Sequence, residues 1–335
     1  MTTNRIALVL GATGGIGGEV AKRLVERGWR VRALVRNPAA VPPGRRLEGL
    51  QWLQGDAMSA ADVARAAAGA SVIVHAVNPP GYRGWRQLVL PMLDNTIAAA
   101  SANGARIVLP GTVYNFGPDA GYDVDEDAPQ NPKTVKGRIR AEMERRLRIA
   151  ASGRCQVVIV RAGDFFGPAA TSNCWFSSIV TPGQPVSAVT SPGTPGVGHQ
   201  WAYLPDVAET MVQLLERPDA LDDFAVFHME GHFDADGTQM IAAIRRQAGN
   251  PDTRVKALPW TLIRLLSPFV PLFGELTEMR YLWKVPLRMT NRRLVNTLGT
   301  EPHTPLDVAV RATLVGLGCV AADAAPARAA QLAAT

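Results

Sequence analysis

Ile6-Ala-Leu-Val-Leu10 runs without a break into Gly11-Ala-Thr13-Gly14-Gly15-Ile16-Gly17-Gly18, and this stretch decides the fold. Five consecutive apolar residues suit a central parallel strand buried on both faces. The glycines permit a tight turn and close approach by a ligand. Glu19 to Arg27 continues as a helix that turns Val20, Ala21, Leu24 and Val25 toward a sheet, and Gly28 ends it. The free N–H groups at such a helix start attract a pyrophosphate. The glycines at 11, 14 and 17 give GxxGxxG, a departure from the GxGxxG dinucleotide fingerprint. Gly11, Thr13, Gly14, Gly15, Ile16 and Gly17 are the expected dinucleotide contacts; a merely structural turn is the alternative reading.

The next strand, Trp29 to Val35, ends in Arg36-Asn37-Pro38. NAD sites commonly carry a carboxylate there for the ribose 2′-hydroxyl. Here an arginine takes the place, and its fork of donors suits a 2′-phosphate. NADP is therefore expected, with NAD as the alternative. Further apolar runs recur at 71–77, 105–109 and 156–160, with helical segments at 16–27, 60–68, 86–103 and 134–151 between them. Strand and helix alternating at this spacing predict an α/β fold with a doubly wound, mostly parallel sheet. In such a sheet the ligand sits at the C-terminal strand ends.

The rest of the sequence narrows the function class. The 335 residues are 47% hydrophobic and 19% charged, too apolar for general disorder. The formal charge of +6 suits an anionic ligand, but no long basic block argues for nucleic acid. Cys155, Cys174 and Cys319 make neither a disulfide framework nor a CxxC knuckle, and no His/Cys/Asp cluster has metal spacing. A reducing cytoplasm is the expected compartment. No signal peptide and no membrane-length apolar run is visible.

These motifs resemble the short-chain dehydrogenase/reductase superfamily, in its extended and atypical branches. GATGGIG at 11–17 is close to the family fingerprint. Gly55-Asp56 with Ala61-Asp62-Val63 resembles the family's third-strand end and following helix, which implies that Asp56 meets the adenine amino group. Val72 to Val77 resembles the fourth strand, whose end, with His75 and Ala76, runs beside the cofactor. By that likeness the dinucleotide-binding domain spans 1–162 and a smaller substrate domain spans 163–317. Segments near 199–230 return to the core, and an alanine-rich tail occupies 318–335.

The catalytic constellation departs from the family pattern. Most members use Tyr-x-x-x-Lys on one helical face, the tyrosine handling the proton at the carbonyl oxygen. Aligned on Pro132 and Glu142, this chain has Lys136 at the tyrosine position and Arg140 at the lysine position. Leu109-Pro110-Gly111-Thr112-Val113-Tyr114 replaces the usual Ser-Ser/Thr-x-x-Val-Tyr, so Pro110 stands where a catalytic hydroxyl is expected. Thr112 offers one two positions later. Lys136, Arg140 and Glu144 match the Lys-x-x-x-Arg-x-x-x-Glu spacing of reductases similar to isoflavone reductase, in which the lysine is the proposed acid/base. Lys136 is thus the leading catalytic candidate, either with its proton affinity lowered by burial and Arg140, or as a charged group polarising a carbonyl or enolate oxygen. Tyr114 and Thr112 are the auxiliary candidates. Arg140 is expected on the cofactor, and Glu144 as its i,i+4 partner. A solvated, salt-bridged helix face is the bland alternative for this basic segment.

In the second half, Val157 to Pro168 resembles the family's strand and loop that pass the nicotinamide. Asn78, Asp164, Phe165, Phe166, Trp175 and His199 are the expected substrate contacts. Residues 181–198 carry four Pro and four Gly and predict a loop or tight hairpin. Asp206 is placed to N-cap the next helix. Residues 258–274 are strongly apolar and broken by Pro268 and Pro271; a substrate-domain helix, a dimer contact, a lid or a peripheral membrane contact are the readings open. The reading reached is an NADP(H)-dependent oxidoreductase moving a hydride to or from a small, moderately apolar carbonyl or enone-like substrate. An epimerase/dehydratase-like enzyme with altered acid/base residues, and a non-catalytic NADP-binding regulator or scaffold, are the alternatives. A homodimer is expected on general grounds.

Overall fold

A computed structural model describes residues 5–79, 84–170 and 174–322. In chain order it runs β1 (Ile6–Leu10), α1 (Gly15–Glu26), β2 (Arg30–Val35), β3 (Leu50–Gln54), α2 (Ala60–Ala67), β4 (Val72–His75), α3 (Trp85–Asn103) and β5 (Arg106–Thr112). There follow β6 (Asp123–Val124), α4 (Val135–Ala151), β7 (Gln156–Ala162), β8 (Asp164–Phe166), α5 (Phe176–Ile179), β9 (Ala188–Ser191) and β10 (His199–Tyr203). The chain continues through α6 (Leu204–Leu215), β11 (Phe224–His228), β12 (His232–Asp234), α7 (Gln239–Gln247), β13 (Arg254–Ala257), α8 (Trp260–Leu266) and α9 (Pro271–Met279). It closes with β14 (Arg288–Met289), α10 (Arg292–Leu298) and α11 (Leu306–Gly316).

Seven strands form the main sheet in the order β11-β7-β5-β4-β1-β2-β3, and every neighbouring pair is parallel. The order reverses between β1 and β4, which is where a doubly wound sheet opens a crevice for a ligand. Strand alternation explains the layers. Ala7 and Val9 of β1 pack with Val20, Leu24 and Val207 of α1 and α6, whereas Leu8 and Leu10 pack with Val63, Leu93 and Met143 of α2, α3 and α4. The apolar run of β1 is continuous because both of its faces are covered.

A third core, rich in aromatic rings, lies beyond β7. Phe166, Trp175, Phe176, Trp201 and Trp283 meet there with residues of α7 and α11. Its small sheet pairs β10 with β8 in parallel and with β12 antiparallel. The 181–198 segment is not a hairpin: its one strand, β9, pairs in parallel with β13, more than sixty residues away. Asp206 does not cap α6, which begins at Leu204. Its carboxylate instead accepts the Thr304 N–H and hydroxyl, each at 2.7 Å, and so ties α6 to the loop before α11. Pro268 and Pro271 divide 258–274 into α8 and α9. Of the alanine-rich tail, 323–335 lie outside the described residues. Among the described residues no helix is long and apolar enough to cross a membrane.

Candidate active site

The glycine turn after β1 is built to be filled by nothing bulkier. Gly11 has φ +92°, and a Cβ there would stand 2.5 Å from the Ala76 carbonyl oxygen. A Cβ on Gly17 would stand 2.3 Å from the Gly11 oxygen. These contacts pull the start of α1 against the ends of β1 and β4. Gly14 occupies the N-cap position without a side-chain cap, and no acidic residue sits in the first turn of α1. The helix start is thus left to an anion, with Thr13 exposed at its mouth. This cradle fits a dinucleotide pyrophosphate. Arg36 stands exposed just past β2. Asp56, past β3, accepts the Met58 N–H at 2.9 Å and donates its own N–H to Asp62 at 3.0 Å, which fixes the turn that presents its carboxylate.

The N-terminus of α4 meets the end of β5 because residue 137 is glycine: a Cβ there would lie 2.3 Å from the Tyr114 carbonyl oxygen. Thr134 caps the helix by accepting the Gly137 N–H at 2.9 Å. Lys136 is only 2% exposed. Its ammonium is held by the Glu275 carboxylate and by Glu278, the latter at 3.3 Å, both from α9. Glu278 also accepts the backbone N–H groups of Val135 and Lys136, so one carboxylate serves both the helix terminus and the lysine. Arg140 lies one turn on. It donates to the Asn78 side chain at 3.2 Å, and its guanidinium stacks 5.2 Å over the Trp85 ring. This turns Arg140 toward the end of β4, beside Ala76. His75 bonds Thr96 at 2.8 Å inside the core. Burial, and then Arg140, hold its pKa down to about 3.

A second polar chain runs from β5 into the aromatic core. The Tyr114 hydroxyl donates to Asp164 at 3.0 Å, and the other Asp164 oxygen takes the His199 Nε2 hydrogen bond at 2.9 Å. His199 stacks flat on Trp283, 3.6 Å between ring centres, with Nδ1 toward the Leu282 carbonyl. Tyr281 lies between the two groups. It donates to the Phe116 carbonyl at 2.9 Å, and burial followed by the nearby Asp164 and Glu278 charges pushes its phenol well above the usual range.

Several expectations change here. Phe166 is 0% exposed and stacks with Phe176 inside the third core, so it supports the site and lines no cleft. Trp175 is likewise buried, between Trp260 and Trp283. Phe165 remains partly exposed and packs against the first core. The Thr112 hydroxyl is taken up in capping the turn at 113–115, where it faces the Tyr114 N–H and Asn115. Glu144 is not the partner of Arg140. It receives two bonds from Arg161, at 3.0 and 2.6 Å, and one each from Asn115 and Gln130, deep beneath the site. Sequence reasoning missed Glu275, Glu278 and Tyr281. The available signal was two glutamates three apart directly after the apolar 258–274 run, which places both on one helical face.

Residues 11–218 match a protein family described as NAD(P)H-binding. An uncharacterised protein of Sinorhizobium fredii, y4nL, is 29% identical over 182 residues, covering 49% of this chain and 51% of that protein. A 3-diazoavenalumate denitrifying reductase from a Streptomyces species is 30% identical over 178 residues, covering 48% of this chain and 56% of the reductase. The chain thus spans about half the length of the curated relatives it matches. A Thermotoga maritima UDP-glucose 4-epimerase, solved with UDP-glucose, superposes with a TM-score of 0.74 at 15% identity, over 92% of this chain and 97% of that one. That likeness is one of fold. The matches agree with the short-chain dehydrogenase/reductase resemblance read from the motifs.

Proposed function

Since the chain belongs to the NAD(P)H-binding family, we propose that it is an NADP(H)-dependent oxidoreductase acting on a small, moderately apolar carbonyl or enone-like substrate, with Lys136 at the reacting oxygen. The observation that carries this reading is the buried, doubly carboxylate-held Lys136 at the C-terminal edge of a parallel sheet, beside Tyr114 and one helical turn from Arg140. A bound nicotinamide would supply or accept the hydride. Gly11, Gly14, Gly15, Ile16 and Gly17 would hold the pyrophosphate, Arg36 the 2′-phosphate and Asp56 the adenine, while Ala76 and Arg140 flank the ribose side. Lys136 donates a hydrogen bond, and then a proton, to the substrate oxygen as negative charge grows there. Glu275 and Glu278 fix the direction of that ammonium. Tyr114 orients the substrate through its hydroxyl, with Asp164 and His199 holding the ring in place. The apolar side of the substrate would rest against Phe165.

The alternative of a non-catalytic NADP-binding regulator is favoured by one feature: α9 covers Lys136 so fully that little of it reaches solvent. One sequence of experiments separates the two. Purified protein is titrated with NADPH and NADH by nicotinamide fluorescence, then screened with aldehydes, ketones and enones for NADPH consumption. The expected result is NADPH preference, lost in Arg36→Ala, and turnover of some carbonyl compounds that Lys136→Met abolishes while NADPH binding survives. Tighter NADH binding overturns the cofactor assignment. NADPH binding with no turnover of any compound, and no change in Lys136→Met beyond stability, favours the regulator.

A further inference from the structure

The α8–α9 hairpin faces inward with Glu275 and Glu278, and outward with a surface the proposed chemistry does not use. Leu262, Leu265, Phe269 and Leu272 all project into solvent, Leu265 at 70% and Phe269 at 81% exposure. Leu262 and Leu265, three residues apart, share one face of α8, Phe269 stands at the turn between the helices, and Leu272 lies in the first turn of α9. Ile263, by contrast, is buried against the body. Large apolar side chains this exposed and this close together mark an interaction surface.

Within the segment that carries the patch, between Asp252 and Glu275, every charge is positive. From Thr253 to Gly274 there is no Asp or Glu, while Arg254, Lys256 and Arg264 all lie exposed. Exposed Val255 sits between the first two on β13, and Lys284 adds a further exposed cation nearby in sequence. A second copy of the chain meets this surface poorly. A twofold contact through the patch brings two sets of these three cations into one interface with no carboxylate from the same segment to offset them, and like charges brought together across an interface weaken it. An anionic lipid surface answers both properties at once: its acyl boundary takes the Leu and Phe side chains, and its headgroups take the Arg and Lys charges.

We propose that the α8–α9 hairpin, with β13, is a peripheral docking surface for anionic phospholipid bilayers, with Phe269 as its inserting tip. This rests on the outer face of the hairpin and is independent of which reaction the inner site performs.

The test is co-sedimentation of the full chain with phosphatidylcholine vesicles, with and without about one third phosphatidylglycerol, at low and high salt. Binding is expected only to the vesicles with phosphatidylglycerol, and to fall with salt. Phe269→Ser should weaken it about tenfold or more through lost burial. Arg254→Ala with Lys256→Ala should weaken it about twenty-five-fold, because each cation near such a surface contributes about fivefold. All three positions are exposed, so NADPH binding and thermal unfolding serve as checks that the variants remain folded. Equal binding to neutral vesicles overturns the anionic assignment. Absence of binding to either vesicle overturns the proposal outright. So does a concentration-dependent dimer that Phe269→Ser dissociates, since the patch would then belong to a protein contact.

Discussion

Gly17→Ala isolates the role of the turn that opens the fold. The added methyl would start 2.3 Å from the Gly11 carbonyl oxygen, 2.7 Å from its carbon and 3.2 Å from the Ala76 Cβ. Two of those three atoms are backbone, so no side chain can swing aside. Relief to an ordinary contact of about 3.5 Å requires the start of α1 to retreat by about 1 Å. Overpacking of this kind costs about 1–3 kcal/mol of stability. The effect on the ligand is larger, because hydrogen bonds hold only over about 2.7–3.2 Å between heavy atoms. A retreat of that size breaks at least one bond from the helix start to a pyrophosphate, and a bond to a charged group contributes about 1.5–3 kcal/mol. The dissociation constant for NADPH should therefore rise about tenfold to a hundredfold. Gly44→Ala is the control, since a Cβ at residue 44 meets nothing within 4 Å and its φ is not in the left-handed range. The assay is fluorescence titration with NADPH beside thermal unfolding of both variants. If Gly17→Ala binds NADPH within about twofold of the parent chain, the helix start is not where the pyrophosphate sits. The argument from the glycine spacing then fails.

The buried pair beneath the site offers a stability test. Arg161→Met leaves the Glu144 carboxylate buried without its counter-charge, and should cost about 3–5 kcal/mol in urea unfolding, while Arg161→Met with Glu144→Leu should recover part of it. A second expectation concerns pH. Burial holds His75 and His228 down to about 3, and His232 to about 4, against an ordinary value near 6.5. The unfolded chain therefore takes up protons below pH 6.5 that the folded chain refuses. The stability these three imidazoles contribute is complete above pH 6.5 and declines as pH falls toward 4, by up to about 1.4 kcal/mol per pH unit for each of them. Unfolding midpoints measured from pH 7 to about 5 should show this slope, and His75→Gln should reduce it by roughly one proton; a flat profile contradicts the burial argument. Finally, Gly137→Ala places a methyl 2.3 Å from the Tyr114 carbonyl and should separate α4 from β5. Turnover should fall further than NADPH affinity, which loses at most the Arg140 contact, and a matched loss of both would show that the two elements do not work as a separate unit.

Periodicity made the parallel core legible. The runs at 6–10 and 156–160 lie in β1 and β7 because a short continuous apolar run suits a strand covered on both faces, and the segments at 60–68 and 134–151 became α2 and α4 because their apolar residues recur at helical spacing. The third core was far less legible. Its strands are two to five residues long, and β9 finds its partner in β13 across a wide sequence gap, so no local pattern announces them. The same limit applies to the site. Lys136, Arg140 and Tyr114 could be singled out because the resemblance to the short-chain dehydrogenase/reductase motifs gives those positions a role. Phe166 and Trp175 could not be told from cleft residues, since an aromatic side chain reads alike whether it lines a pocket or fills a core. Thr112 and Glu144 show the same gap at shorter range: which partner a polar group takes depends on what folds against it.

The glutamates on α9 bear on the charge carried at position 136. A tyrosine at position 136 would be neutral, and it would need no counter-charge. A lysine there brings a full charge into a place that is 2% exposed, and an uncompensated ammonium at that depth is strongly unfavourable. The chain meets this with two carboxylates that lie 139 and 142 residues further on, one of which also satisfies the first N–H groups of α4. With Arg140 beside Lys136, two cations stand near two carboxylates, so the cluster is formally neutral before any ligand arrives. A lysine left over on a solvated helix face would have no use for such an arrangement. Its charge would be screened by water, and Glu275 and Glu278 would gain little by turning inward. The position of the charge is thus built into the tertiary structure, with α9 as the element that both covers the lysine and aims it.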